Sequence, residues 1–230
     1  MHFLILGATG RNGSLILTEA LSRGHTVTAL VRTPSSSSLP PQPQPNLTLV
    51  PGNPLSLPDI RTALQNPRAP DAVIVALNPR RVSDSPFAAP HPDTPDSLMH
   101  DAVRNALEGM KAAGVPKIVI NSMQGVGASS GSLIMPFRVL FEHTNMKYTL
   151  DDHRAVDALV TGKQGEEGVD WVMVRPPMLT EGDALPVKDY GDDGKGICWM
   201  PKITRKSVAV FMVDAAEKPD WNRRAPVIAN

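Results

Sequence analysis

Three glycines near the start of the chain have the spacing of a phosphate-binding turn. Gly7, Gly10 and Gly13 follow an apolar run at residues 3–6 and precede a segment of helical composition at residues 14–21. A strand, a glycine turn and a helix in this order form a cradle in which the phosphates of a dinucleotide approach the backbone and face the helix N-terminus. Because the spacing is looser than Gly-x-Gly-x-x-Gly, a purely structural turn is the alternative.

Arg32 indicates which dinucleotide this turn would serve. It stands 19 positions after Gly13, at the end of the second predicted strand. Folds that bind NAD place an acidic residue there for the ribose 2′-hydroxyl, whereas an arginine pairs with the 2′-phosphate of NADP. No Asp or Glu occurs between Glu19 and Asp59 to repel that phosphate. We therefore expect NADP (NADPH) as the cofactor, the alternative being a solvated arginine at a strand end.

Other catalytic constellations are missing from the sequence. The Tyr-x-x-x-Lys pair that many short-chain dehydrogenases use for proton transfer does not occur, because Asp152 follows Tyr148 and Gly194 follows Tyr190 at that spacing. The six histidines show no paired ligand spacing and Cys198 is the single cysteine, so no metal site is expected. Nor do we expect the strand–turn–helix nucleophile elbow of a hydrolase.

The elements that position these residues alternate between strand and helix. Apolar and β-branched runs predict six main strands, at residues 3–6, 25–32, 47–50, 71–77, 117–122 and 169–175. Helices are expected at residues 14–21, in a segment ending near 65, and at 97–113, 137–143, 151–161 and 207–216. Residues 225–229 are expected to form an edge strand. This alternation predicts the α/β class, with a Rossmann-like doubly wound parallel sheet in a single domain over residues 1–230.

Long polar segments connect several of these elements. Residues 34–45, rich in Ser and Pro, predict an exposed loop, and residues 78–96 and 125–136 predict further loops. Residues 178–201 are expected to form a small substrate-covering loop. Ligands of doubly wound sheets bind outside the carboxyl ends of the strands, where the glycine turn and Arg32 lie.

Composition limits the partners and the location. Lys plus Arg and Asp plus Glu both number 23, so no net charge attracts nucleic acid or an anionic membrane surface. No run reaches the about 20 apolar residues of a membrane span, and the first strand leaves no room for a signal peptide. A small-molecule substrate and a cytoplasmic location are expected. We also expect a monomer, because no exposed apolar helix face stands out.

Several segments in register carry a resemblance to a known family. The chain resembles the NmrA-like atypical short-chain dehydrogenases, and most closely their biliverdin reductase B and flavin reductase group. The resemblance covers about residues 1–216. It rests on the segments at residues 7–13, 29–32, 71–77, 117–122, 151–153 (Asp-Asp-His) and 172–177 (ending in Pro-Pro).

The resemblance implies an NADPH-dependent reductase of a planar, conjugated small molecule. By this resemblance, the pyrophosphate would be held by Thr9, Gly10, Arg11 and Asn12 of the turn that Gly7 and Gly13 complete, and the 2′-phosphate by Arg32. Asn53 would lie by the adenine, and Ala76, Leu77 and Asn78 would line the ribose side. The nicotinamide would be approached by Asn121, Ser122 and Met123, and its carboxamide fixed by the backbone of Pro176, Pro177 and Met178.

Two departures from that group change the expected pocket. Met123 stands where the group has a serine, and Met178 where it has a histidine after the Pro-Pro pair. The loss of both polar groups makes the pocket more apolar and leaves flavin or biliverdin open as acceptor. His153 matches a family histidine and is the expected proton donor, since imidazole titrates near neutrality; a histidine at a helix start is the alternative. Ser122 is expected to bond a substrate carbonyl, the alternative being a cap at a strand end.

Three functions fit these features. The first is hydride transfer from NADPH to a carbonyl, enone, quinone or flavin-like acceptor, as in fungal-type secondary metabolism. The second is an NmrA-like regulator that senses redox state by binding NAD(P) without turnover. The third is a redox-neutral isomerase with bound cofactor.

Overall fold

The computed structural model describes residues 1–35, 37–41, 43–83, 85–162 and 168–230. Ser36 and Gln42 of the predicted loop at 34–45, and Asp84 of the connection at 78–96, lie outside the described residues. No helix within these ranges is both long and apolar enough to cross a lipid bilayer.

Six parallel strands form the central sheet in the order β3-β2-β1-β4-β5-β6. The sheet consists of β1 (His2–Leu6), β2 (Thr26–Val31), β3 (Leu47–Pro51), β4 (Ala72–Val75), β5 (Lys117–Asn121) and β6 (Asp170–Val174). Of the four inner strands, β1, β4 and β5 are buried along their whole length, and β2 is buried except at its first residue. Strands covered on both faces need nearly continuous apolar runs, which is why the sequence located them correctly. The predicted Rossmann-like doubly wound sheet is confirmed.

Helices cover both faces of this sheet. They are α1 (Arg11–Ser22), α2 (Leu57–Gln65), α3 (Leu98–Ala113), α4 (Met135–Glu142), α5 (Met146–Thr161) and α6 (Arg205–Glu217). Alternate residues of β1 point to opposite faces, so Phe3 and Ile5 pack with α1 and α6, whereas Leu4 and Leu6 pack with α2, α3 and α5. The two apolar cores hold the carboxyl ends of all six strands at one edge.

Small strand pairs complete the fold after β6. β7 (Met178–Thr180) runs parallel to β9 (Lys202–Thr204), and β8 (Lys188–Asp189) pairs antiparallel with β10 (Ile228–Ala229). The segment 178–201, expected as one loop, therefore contains two short strands. The chain end runs alongside β6, with parallel bridges at Val172–Arg224 and Arg175–Val227 before β10 begins. It thus occupies the edge position that the sequence suggested.

Several predicted boundaries differ from the structure. α1 begins at Arg11 rather than at residue 14, and α5 begins at Met146 rather than at residue 151. A short 3₁₀ helix, Gly127–Ser132, interrupts the expected Gly/Ser loop. In the Ser/Pro loop, Leu39 is buried and packs into the core on the α1 side, so this loop is not exposed throughout. One apolar side chain is enough to anchor it, because burial removes that side chain from water.

α4 lies at the surface and none of its residues is buried. Met135 is 69% exposed and Val139 is 49% exposed. The expectation that no helix presents an exposed apolar face is therefore wrong at α4. Since that expectation was the reason for expecting a monomer, the monomeric state stays a prediction without its original support.

Candidate functional site

A cleft of about 870 Å³ opens at the carboxyl edge of the sheet. All of the site residues expected from the sequence line it, except Gly13 and Met178. The lining residues from that set are Gly7, Thr9, Gly10, Arg11, Asn12, Arg32, Asn53, Ala76, Leu77, Asn78, Asn121, Ser122, Met123, His153, Pro176 and Pro177. Their spacing along the chain exceeds 160 positions, so the parallel sheet alone brings them together.

The glycine turn is shaped by close backbone contacts. Gly7 has φ +90°, and a Cβ there would come within 2.8 Å of the carbonyl oxygen of Ala76. A Cβ on Gly13 would lie 2.0 Å from the carbonyl oxygen of Gly7. Gly13 is thus not in the cleft but behind the turn, where it lets α1 pack against the loop. The Gly10 N–H donates to the Gly7 carbonyl at 2.9 Å, which closes the turn.

The start of α1 faces the cleft without a side-chain cap. Gly10 precedes the helix and makes no capping side-chain bond, and the first turn contains no acidic residue. The first N–H groups of a helix have no intrahelical acceptor, and they carry the positive end of its dipole. Asn12 in this turn is 9% exposed, and its Oδ1 has no hydrogen-bond partner in the described part of the chain. The uncapped N–H groups at this end of the cleft can donate to an anion, whereas the Oδ1 of Asn12 can accept from a donor.

Arg32 lies at the exit of β2, exposed to solvent and to the cleft. Its guanidinium makes no ion pair or hydrogen bond with any described residue. Asn53, at the exit of β3, uses its Oδ1 to accept the Leu55 N–H at 3.1 Å, while its own N–H donates to Asp59 at 2.8 Å. Among described cleft residues, Asp93 is the sole carboxylate, and it belongs to a separate segment before α3.

His153 forms the deep wall of the cleft opposite the strand ends. Its ring is 2% exposed, and its Nε2 lies 3.2 Å from Oδ1 of Asn78. Burial lowers the pKa of His153 to about 4, so the ring is neutral at pH 7. A neutral ring that donates from Nε2 leaves Nδ1 as an acceptor, and Nδ1 has no partner within the described ranges. His153 was expected to be the proton donor because imidazole titrates near neutrality, and the lowered pKa removes that reason. The catalytic role of His153 stays a prediction.

The residue before His153 fixes the helix that carries it. Asp152 is buried and accepts hydrogen bonds from the N–H groups of Met99 at 2.8 Å and His100 at 2.9 Å. Burial raises the pKa of the Asp152 carboxyl. These bonds cap the first turn of α3 with a carboxylate from α5, which favours the helix dipole of α3. The Asp-Asp-His segment therefore holds α5 against α3 and sets the depth of His153.

Asn121 and Ser122 stand where β5 ends. The Oδ1 of Asn121 and the Oγ of Ser122 are buried without a partner among the residues described. The Ser122 N–H donates to the Val174 carbonyl at 2.7 Å, and the Gln124 N–H to the Pro176 carbonyl at 3.0 Å. The ends of β5 and β6 are thus tied together. Buried polar atoms are normally hydrogen-bonded, so these two side-chain atoms can bond a ligand in the cleft.

Arg175, just before the Pro-Pro pair, does not face the cleft. Its side chain is 2% exposed and its Nη2 bonds the carboxylate of Asp157 on α5 at 2.5 Å. Its Nη1 donates to the carbonyl of Asp192 at 2.9 Å. The arginine therefore joins β6, α5 and the segment after β8, which is a structural rather than a binding position.

Met178 also lies outside the cleft. Its side chain is 45% exposed and belongs to β7, while the next residue, Leu179, lines the cleft instead. Within the described residues, Leu179 is the sole cleft-lining member of segment 178–201. Much of the outer wall comes from the connection before α3, at residues 79–83 and 93–98. The covering role of segment 178–201 stays a prediction.

The sequence did not indicate several residues of the cleft. Met146 and Thr149 lie on the same face of α5 as the expected His153. Their helical spacing would have indicated this shared face if the helix had been predicted to begin at Met146. Arg80, Arg81 and Arg205 add three guanidinium groups. Arg205 is the first residue of α6 and carried no recognisable motif.

One pattern in the sequence looks catalytic but is structural. Residues 127–131 match Gly-x-Ser-x-Gly. The central Ser129 is fully buried in the 3₁₀ helix, where its Oγ accepts the Gly125 N–H at 3.0 Å and donates to the Val126 carbonyl at 2.8 Å. It is not exposed on a strand-to-helix turn, so it does not form a nucleophile elbow. Nor do three His, Cys, Asp or Glu side chains gather as metal ligands would in the described ranges.

The cleft as a whole fits a phosphorylated dinucleotide. Its volume lies in the range of about 300–1,000 Å³ typical of ligand sites. The turn around Gly7 leaves no room for a Cβ next to β4, and the start of α1 has no side-chain cap. Arg32 adds a guanidinium that pairs with none of the residues the structure describes. Four buried polar atoms at the cleft, on Asn12, Asn121, Ser122 and His153, lack protein partners in the part of the chain described.

Comparisons with known proteins agree with this geometry. A family model described as NAD(P)H-binding matches residues 7–219. Reductase pytE of Aspergillus terreus is 27% identical in an alignment 218 positions long, which covers 83% of this chain and 79% of that protein.

Solved structures share the fold at lower identity. The Anaerobillin reductase ChuY of Escherichia coli O157:H7 superimposes with a TM-score of 0.75 at 16% identity, covering 100% of this chain and 97% of that one. A short-chain dehydrogenase/reductase of Veillonella parvula in complex with NADP gives a TM-score of 0.73 at 15% identity, covering 100% and 94%.

Proposed function

The chain belongs to the NAD(P)H-binding family, and we propose that it is an NADPH-dependent oxidoreductase that reduces a conjugated or aromatic small molecule. The acceptor would be a carbonyl, enone, quinone or flavin-like compound. The observation that carries the proposal is the cleft in which the glycine turn meets the Arg32 guanidinium and three buried atoms, Asn121 Oδ1, Ser122 Oγ and His153 Nδ1. Neither the guanidinium nor any of the three atoms has a partner among the described residues. The similarity to Reductase pytE supports a reductase, and a place in fungal-type secondary metabolism is part of the same proposal.

The residues of this chain would bind the cofactor along the strand ends. Thr9, Gly10, Arg11 and Asn12 would hold the pyrophosphate, with Gly7 and Gly13 shaping the turn. Residues at the ends of the other strands would hold the rest of the molecule. Arg32 would bind the 2′-phosphate, Asn53 would lie by the adenine, and residues 76–78 would line the ribose side. The nicotinamide would contact Asn121, Ser122 and Met123, together with Pro176, Pro177 and the backbone of Met178.

The preference for NADPH over NADH rests on Arg32. A guanidinium at the exit of β2 with no protein partner among the described residues can form a paired, charge-assisted contact with a 2′-phosphate. NADH lacks this phosphate and would leave the guanidinium in water.

When bound, NADPH supplies the hydride. Ser122 would donate a hydrogen bond from its Oγ to the carbonyl oxygen of the acceptor, and this bond strengthens as negative charge develops there. His153 would be the proton donor from a neutral resting state. Because an adjacent anion favours the charged imidazolium, the Nδ1 of His153 would take up a proton from a water molecule, with hydroxide released to the solvent, and pass that proton to the acceptor oxygen.

The experiment that tests the proposal measures loss of NADPH absorbance with a panel of quinones, enones, flavins and aromatic ketones. Turnover of at least one acceptor class by the wild type, and its loss on removal of NADPH, is the expected result. Tight NADPH binding with no turnover on the whole panel would contradict it.

A regulator that binds NADP without turnover is the second candidate, and the neutral, buried His153 favours it. In addition, neither Tyr148 nor Tyr190 lines the cleft. Recovery of a protein partner whose binding depends on the oxidation state of the nucleotide would support this function. A redox-neutral isomerase would convert its substrate without net loss of NADPH.

Within the family, we place the chain with the NmrA-like atypical short-chain dehydrogenases, near the biliverdin reductase B and flavin reductase group. The Asp-Asp-His segment at the α3 contact and the tied ends of β5 and β6 support this placement. We further propose a cytoplasmic monomer; light scattering on the purified protein measures its mass.

A further inference from the structure

Arg205 occupies a position in the cleft that no motif and no comparison assigns. It is the first residue of α6, directly after Thr204, whose side chain accepts the Ser207 N–H and begins the helix. The Arg205 side chain is only 12% exposed, yet it lines the cleft together with Leu179 and Pro177. A guanidinium this enclosed at a ligand cleft calls for a chemical reason.

The two helices on this face of the sheet are held parallel at their far ends. Arg23, which ends α1, bonds Asp214 at 2.6 Å and Glu217 at 2.8 Å near the end of α6. His25 adds a contact to Glu217 at 2.6 Å. Because their C-terminal ends meet, both helices direct their N-terminal ends to the cleft, where Asn12 and Arg205 both line it.

The N-terminal ends of α1 and α6 both lie at the cleft. Neither α1 nor α6 has an acidic residue in its first turn. The first turn of α1 has no side-chain cap, whereas in α6 the Thr204 side chain accepts the Ser207 N–H; both helices direct the positive end of a helix dipole to the cleft. Asn12, buried to 9% exposure with an unpartnered Oδ1 in the described structure, supplies an independent sign that a polar ligand belongs at this point. Its amide can also present Nδ2 to an anion after rotation.

Among the described residues, Glu181 is the one ion-pair partner of the Arg205 side chain. The Nη1 of Arg205 lies 2.6 Å from Oε1 of Glu181, whose side chain is 77% exposed just after β7. An ion pair with a carboxylate so exposed to water contributes little free energy. The guanidinium has five N–H donors, so donors remain for a second anion even while Glu181 is bound.

We propose that Arg205, together with the first turns of α1 and α6, holds the diphosphate bridge of the bound dinucleotide. The inference rests on the proposed function, since it concerns the same cofactor. It adds a second cation with a task different from that of Arg32: Arg205 acts on a part that NADPH and NADH share, whereas Arg32 acts on the 2′-phosphate that only NADPH carries.

The test compares nucleotide affinities of the variants by calorimetry. Arg205→Gln is expected to weaken NADPH and NADH alike, by roughly tenfold to a hundredfold, the loss of one charge-assisted contact. Arg32→Ala should weaken NADPH alone. The proposal is overturned if Arg205→Gln binds both nucleotides with wild-type affinity. It is also overturned if the sole defect of this variant is a raised KM for an acidic acceptor.

Two further variants separate binding from structure. Glu181→Gln breaks the same ion pair but keeps the guanidinium in the cleft, so it should retain nucleotide affinity within about threefold. If it loses as much as Arg205→Gln, the pair is structural and the proposal fails. Lys206→Gln is the matched control, because Lys206 bonds Asp183 at 2.7 Å, is 50% exposed and does not line the cleft. If the wild-type protein bound neither nucleotide, the proposed function itself would be contradicted. A result confined to the variants would contradict only the role of Arg205.

Discussion

The Nε2 of His153 lies 3.2 Å from the Oδ1 of Asn78 and thereby joins α5 to the end of β4 across the floor of the cleft. A carboxamide oxygen cannot donate, so the ring must carry its proton on Nε2 in this arrangement. The ring is enclosed on all sides that the structure describes, and no carboxylate compensates for the cost of charging it. The contact therefore defines both the tautomer and the charge of His153.

A first prediction concerns the titration of this ring. With its pKa lowered to about 4 by burial, His153 binds a proton more weakly in the folded protein than in the unfolded chain, whose pKa is near 6.5. The unfolded state therefore binds more protons between those values. The His153 contribution to stability is fully present above about pH 6.5 and is lost as the pH falls towards 4, by roughly 3 kcal/mol in total.

Urea unfolding of the wild type and of His153→Gln between pH 4 and pH 7 measures this loss. The slope of stability against pH should be smaller in the variant, and NMR of the wild-type ring should show no titration near pH 6.5. A ring that titrates with an ordinary midpoint would refute the prediction.

A second prediction concerns catalysis. His153→Ala should lower kcat by roughly a hundredfold or more, because a positioned proton donor is lost, while the Kd for NADPH changes little. Stopped-flow kinetics and a separate binding titration give the two quantities. Full activity of the variant would remove His153 as the donor, and a large rise in Kd would make it a cofactor contact instead.

A third prediction concerns the choice of cofactor. Arg32→Ala should weaken NADPH binding by roughly tenfold to a hundredfold and leave NADH binding nearly unchanged, because only NADPH has the 2′-phosphate. Arg61→Ala is the control, since Arg61 is an exposed arginine on α2 that pairs with Glu108. Equal losses for both nucleotides would rule out the 2′-phosphate assignment.

A fourth prediction concerns the glycine turn. Gly13→Ala places a Cβ 2.0 Å from the Gly7 carbonyl oxygen, so α1 must move away from the loop. We expect a loss of about 1–3 kcal/mol in the free energy of unfolding, together with weaker nucleotide binding. Gly131→Ala, where a Cβ meets nothing within 4 Å, should change stability by less than about 0.5 kcal/mol. Similar effects of both changes would contradict the close contact.

The sequence predicted those parts of the fold whose residue types are determined by their immediate surroundings. The apolar run of β4 has to be apolar because both of its faces are covered, and the turn at Gly7 needs a residue without a Cβ. Arg32 could be placed because it follows a strand directly.

Features that depend on distant partners could not be predicted. β7 and β9 have three residues each and exist only because they pair with one another. The burial of His153, which changes its pKa, comes from the packing of α5 and not from its neighbours in sequence. Arg205 enters the cleft because α6 lies beside α1, almost 200 positions earlier in the chain.

The cleft is built from separable stretches of chain. In the proposed binding mode the glycine turn and Arg32, at the ends of β1 and β2, hold the phosphates, whereas much of the outer wall of the cleft comes from the connection before α3 and from one face of α5. A chimera that receives the residue 79–97 connection of a homologous reductase would change the acceptor wall without touching Gly7–Gly13 or Arg32. Under the proposed function, acceptor range and coenzyme usage would therefore depend on different stretches of the chain, and a change in the first would leave the second intact.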